Sequence, residues 1–153
     1  MDSFPMGIVV ATIKQLFFVA LISICSVACA DTWLSMGGGS VHVCHTCGYN
    51  NFNPGLGLQH DVGADLRVLG GLYYNSYHKT TVYAGAAYQP LQHGAIRFGV
   101  MGGLVTNYKN LRVPVMALPA LSIEATRFGI DILGFPSVGS STGLITVNAK
   151  YRL

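Results

Sequence analysis

The stretch 144-LITVNAKYRL-153 decides the fold. Ile145, Val147, Ala149, Tyr151 and Leu153 fall on one side of a two-residue period, and Thr146, Asn148, Lys150 and Arg152 on the other. Such alternation reads as a strand with one apolar and one polar face. Its length matches the roughly ten residues a tilted strand needs to cross a hydrocarbon layer. The expected placement puts the apolar row against lipid and the charged row inside a barrel.

The same division runs back along the chain. In 95-AIRFGVMGGLV-105, Ile96, Phe98 and Val100 alternate with Arg97, Gly99 and Met101. Asp131, between Ile130 and Ile132, also reads as inward, because a charge facing lipid near the midplane costs up to about 4 kcal/mol. Segments of this kind lie at roughly 35–43, 54–61, 65–75, 79–89, 95–105, 112–123, 127–135 and 144–153. Turn compositions separate them at 61-DVGAD-65, 90-PLQHG-94, 106-TNYKN-110 and 136-PSVGSSTG-143. Glycine is scattered throughout, and each one weakens a helix by about 1 kcal/mol. The expected fold class is all-β, an eight-stranded antiparallel transmembrane β-barrel of the outer-membrane type, since an even strand count closes such a barrel. A soluble eight-stranded barrel of the lipocalin kind alternates in the same way, and the scarcity of charge argues against it.

That scarcity is large. Of 153 residues, 51% are hydrophobic and 10% charged, against about 25% charged in an ordinary soluble domain. Lys14, the apolar run 16-LFFVALISIC-25 and the small-residue segment Ala28-Cys29-Ala30 read as a secretory signal peptide over 1–30. Residues 31–153 are then the barrel domain, expected in the outer membrane of a Gram-negative bacterium. A lipidation cysteine at Cys29 would want an aliphatic residue where Ser26 stands. Without the signal the chain still carries a net charge of +3, too small to indicate a nucleic-acid partner. No cofactor or metal is expected, and the barrel is expected to be a monomer.

With both termini in the periplasm, residues 44–53, 75–79, 106–111 and 136–143 gather at the outer rim. His42 and Asn75-Ser76 meet there, while His60 and His93 lie at the opposite end. A serine is a poor nucleophile unless a base lies within hydrogen-bond reach, and His42, His45 and His78 are the bases at this rim. Asn75-Ser76-Tyr77-His78-Lys79 is equally an ordinary turn composition, so spacing alone leaves both readings open. Cys44-His45-Thr46-Cys47 suggests a loop disulfide between Cys44 and Cys47 in an oxidising compartment. A zinc site drawing on His42 and His45, or a redox pair, is the alternative.

An ordered series of patches is similar to the PagP family of outer-membrane lipid A palmitoyltransferases. These are Tyr49-Asn50 with Pro54-Gly55-Leu56-Gly57-Leu58, then 72-LYYNSYHK-79, Ala84-Gly85, 113-VPVMALPALSIEA-125 and Gly134-Phe135-Pro136. The resemblance spans about Gly39 to Leu153. It implies transfer of an acyl chain from a phospholipid to lipid A, with those two lipids as partners. It assigns catalysis to His42, Asn75 and Ser76, with Asn75 standing where the family has aspartate. No amphipathic helix of the family's kind fits between Asp31 and Gly39. Pro54, Pro119 and Pro136 are the candidate lateral lipid gates, because proline cannot donate to a strand ladder. An acyl slot would be lined by Gly71, Ala87, Gly99, Met101 and Gly103. Two other functions fit the same residues: a lipid A or phospholipid esterase, if water replaces the acceptor, and a non-enzymatic barrel with an envelope-stabilising or surface-interaction role.

Overall fold

The structure is a computed structural model, and it describes residues 31–44, 47–108, 114–137 and 143–153. The expected signal peptide and His45 lie outside the described residues. Eight strands follow in order: β1 (Thr32–His42), β2 (Gly55–Asp61), β3 (Leu66–Tyr74), β4 (Thr80–His93), β5 (Ile96–Val105), β6 (Val115–Glu124), β7 (Phe128–Phe135) and β8 (Leu144–Arg152). Each pairs antiparallel with the next, and β8 pairs with β1 to close the barrel.

Each expected segment overlaps one strand, with two boundary corrections. β1 begins at Thr32 rather than near 35. β4 runs through the expected turn at 90–94 to His93. A register shift between Tyr88 and Leu91 accommodates Pro90, and the chain reverses tightly beyond it, where Gly94 takes a φ of +57°.

The barrel is inside-out relative to a water-soluble protein. The largest fully buried side chains are mostly polar and include Arg67, Lys150, Gln89, Asn75 and Asp131, whereas Leu58, Leu72, Val82, Val100, Leu104 and Ile145 stand exposed on the outer wall. A continuous outward apolar belt around a polar interior is the arrangement of a barrel solvated by lipid. The soluble-barrel alternative does not fit it.

The interior divides into two halves. Near the termini, Asp131 accepts hydrogen bonds from Ser122 Oγ (2.6 Å), Lys150 Nζ (2.6 Å) and Gln59 Nε2 (2.7 Å). Lys150 also reaches Glu124 (2.6 Å), and Arg67 bridges Glu124 and Asp61. Trp33 fills the centre beneath this network, with Lys150 Nζ 5.1 Å and the Arg152 guanidinium 4.5 Å from its ring. Above the network lies a cavity of about 150 Å³, bordered by Leu69, Tyr83, Met101, Met116, Leu118 and Leu133, with Ser76 near its mouth and Asp131 at its floor. The buried ion-paired plug closes the cavity on the side of the termini, and Ser76 lines it at the other end.

Candidate active site at the barrel mouth

His42 reaches the interior because β1 changes face. Trp33 and Ser35 are buried in its lower part, Ser40 and His42 in its upper part, so odd residues point inward below and even residues above. The change occurs where Gly37 and Gly38 bulge between Met36, paired with Ala149, and Gly39, paired with Val147. One extra residue on β1 inverts the side-chain alternation beyond it. A β-carbon at Gly38 would sit 2.0 Å from Val147 O, and one at Gly37 would sit 2.3 Å from Asn53 O. Glycine is required at both positions by close backbone approach.

His42 and Ser76 are 7% and 8% exposed. Ser76 Oγ lies 2.9 Å from His42 Nε2, and His42 Nδ1 lies 2.8 Å from Asn51 Oδ1. An amide oxygen only accepts, so Nδ1 carries the ring proton and Nε2 receives the serine hydroxyl. Tyr49 stacks on the imidazole at 4.6 Å between centroids, and Tyr77 meets Tyr49 edge-on. The result is a serine bonded to a base whose other ring nitrogen is held, which is the arrangement nucleophilic catalysis needs. Asn51 was not expected here.

Asn75, the third expected catalytic residue, builds the turn that carries Ser76. It is fully buried. Its Oδ1 accepts from the Tyr77 and Lys79 backbone N–H groups, and its Nδ2 donates to Thr81 Oγ1 and to the Asn107 carbonyl. That fills the two acceptor and two donor positions of the amide. Asn75 therefore anchors the 75–79 turn from which Ser76 projects, a turn that His78 closes with a φ of +58°.

The remaining expected residues divide. Met101 and Gly103 border the cavity, while Gly71, Ala87 and Gly99 lie outside its lining. Gly71 packs against the β2 backbone at Leu56 and Gly57, with the Tyr83 hydroxyl next to it, and Gly99 packs against the β4 backbone at Tyr88 and Gln89. Ala87 is buried between Met101 and Arg67, its neighbours on β5 and β3. Beside the cavity mouth, Tyr73 and Tyr108 share a hydroxyl–hydroxyl hydrogen bond of 2.7 Å. Burial pushes the Tyr108 phenol above its ordinary value, which keeps it neutral.

Among the gate prolines, Pro119 and Pro136 flank one groove in the side wall, together with His42, Gly134, Phe135 and Leu144. Pairing between β6 and β7 covers Ala120 to Glu124 and stops below Pro119, so the seam is open above it. Pro54 has a different setting. Asn53 N donates to Gly38 O (2.9 Å) and Ser40 N to Asn51 O (2.8 Å) just above it, which keeps the β1–β2 seam bonded past the proline. Cys44 and Cys47 are joined as a disulfide, with Cα atoms 5.6 Å apart, two residues beyond His42. No group of three or more potential metal ligands occurs among the described residues.

No family model and no curated protein matches the chain. Among solved structures, it is similar to the N-terminal β-barrel domain of OprF from Pseudomonas aeruginosa, at 12% identity and a TM-score of 0.47, over 81% of this chain and 96% of that one.

Proposed function

We propose that this chain is an acyl-transfer enzyme of the Gram-negative outer membrane, moving a fatty acyl chain from a phospholipid to lipid A. The observation that carries the reading is the 2.9 Å contact between Ser76 Oγ and His42 Nε2, at the end of a largely apolar cavity opposite the charged plug. Ser76 Oγ attacks the ester carbonyl of the donor while His42 takes its proton and delivers it to the departing lysophospholipid oxygen. The acyl chain then rests on Ser76. A lipid A hydroxyl attacks that ester, with His42 again accepting the proton, and Ser76 is regenerated.

The open β6–β7 seam supports the same reading. A phospholipid lies in the bilayer beside the wall, and the groove between Pro119 and Pro136 leads inward to His42. A cavity closed at one end suits an acyl chain better than a permeating solute, and the charged plug supplies that closure.

Mass spectrometry of lipid A from cells with and without the protein tests the proposal. A gain of one acyl chain is expected, and it disappears in His42→Ala and Ser76→Ala. A loss of one chain would assign hydrolysis instead. An unchanged lipid A profile with the folded wild-type protein would leave the non-enzymatic barrel as the better reading.

A further inference from the structure

We infer that Asn51 is the positioning residue of the site, the third member of a Ser76–His42–Asn51 relay. The inference rests on the acyl-transfer reading and deepens it. Its Oδ1 lies 2.8 Å from His42 Nδ1, on the side of the ring opposite Ser76. Holding the proton on Nδ1 leaves the Nε2 lone pair directed at the serine hydroxyl, which is the tautomer a general base needs.

Asn51 is held by backbone hydrogen bonds to β1. Ser40 N donates to its carbonyl (2.8 Å), Phe52 bridges to Gly39, and Asn53 N donates to Gly38 O (2.9 Å). Asn53 adds a side-chain bond from Ser40 Oγ (2.6 Å) and donates to Tyr74 O (2.9 Å). Residues 51–53 thus run antiparallel beside the part of β1 that carries His42, joined to it by a bridge outside the named strands. Counting back by twos from the buried residues Gln59 and Asn53 puts Asn51 on the same side of the segment, at the exposed rim of the barrel beside the buried His42. Tyr49 stacks on the imidazole, so ring plane and ring rotation are fixed by two residues of one segment. Asn75, by contrast, has no side-chain capacity left for His42. The relay holds its histidine through an amide dipole, without a carboxylate.

The test uses the full mature chain, folded in detergent micelles, with two independent measurements. The first is the labelling rate of Ser76 by a fluorophosphonate, read beside acyl transfer from phosphatidylcholine to lipid A. Asn51→Ala is expected to slow both by about 10- to 100-fold, below the roughly 10⁴ for a relay locked in the wrong tautomer, with KM for the phospholipid within about twofold. Asn51→Asp, which keeps an acceptor oxygen in place, is expected to restore the rate to within a few-fold of wild type. The second measurement is ¹⁵N NMR of the His42 ring. It is expected to show the Nδ1–H tautomer in wild type and tautomer averaging in Asn51→Ala. Wild-type rates in Asn51→Ala, or an Nε2–H tautomer in wild type, would overturn the inference. If wild type neither labels nor transfers, the acyl-transfer reading fails, and the ring tautomer alone then decides for or against the role of Asn51.

Discussion

Replacing Asp131 with alanine should cost the barrel about 4 kcal/mol. Asp131 is buried and accepts three hydrogen bonds, from Ser122, Lys150 and Gln59. Breaking a buried ion pair costs roughly 3–5 kcal/mol because the surviving charge stays buried. Lys150 keeps Glu124 at 2.6 Å, which places its share at the low end. Gln59 Nε2 has no second acceptor among the described contacts, and such an orphaned donor adds about 1–3 kcal/mol. The assay is reversible urea unfolding of the barrel in lipid vesicles, followed by the emission of Trp33, the single tryptophan in the chain. Trp33 is fully buried against Lys150, so its signal reports the opening of this layer. With an m value of about 2 kcal/mol per molar, the midpoint should fall by about 2 M. The double mutant Asp131→Ala, Lys150→Met should be more stable than additivity predicts, by about 2 kcal/mol. A midpoint shift below about 0.5 M, or strict additivity, would refute the idea that paired charges hold the plug.

Two further outcomes follow from the upper half. Asn75→Asp removes both side-chain donors and sets a carboxylate against the Asn107 carbonyl, so it should lower stability by about 1–3 kcal/mol. It should also reduce acyl transfer, measured by lipid A mass spectrometry; a gain in activity would show that a carboxylate at position 75 serves catalysis directly. Gly38→Ala should destabilise the barrel by about 1–3 kcal/mol in the same urea assay and abolish serine labelling, because its β-carbon would meet Val147 O at 2.0 Å. Gly70→Ala, whose β-carbon meets nothing closer than 3.4 Å, should behave as wild type in both measurements.

The fold was legible because two solvents impose one rule on every strand. Lipid outside and a polar network inside force strict alternation, and Ile145 to Leu153 or Ile96 to Val105 carry it without interruption. The exceptions lie where a backbone irregularity resets the alternation. Pro90 looked like the end of β4, yet the register shift beside it absorbs the missing N–H and the strand continues to His93. In the acyl-slot estimate, residue size stood in for free volume. Gly71 is small, but the backbone of β2 at Leu56 and Gly57 and the Tyr83 hydroxyl from β4 fill the room it leaves, a cross-strand effect that no single segment encodes.

The site shows the same limit more sharply. Trp33 and Ser35 inward would, on unbroken alternation, turn His42 toward lipid, where it could meet neither Ser76 nor Asn51. The run Gly37-Gly38-Gly39 is the one local sign that the alternation breaks, since glycine inside a strand marks a bulge or a close backbone approach. Once that single residue is inserted, Ser40 and His42 turn inward together, and Ser40 ties to Asn53, two residues from Asn51. The asparagine-rich 50-NNFN-53 falls in the outer-rim stretch 44–53, where nothing in the composition singles out Asn51. Its partners on β1 do: a turn residue would bond locally, whereas Asn51 takes its backbone bond from Ser40 and spends its side chain on His42. The glycine bulge and the asparagine segment are therefore two halves of one device, the first turning the base inward and the second fixing its ring.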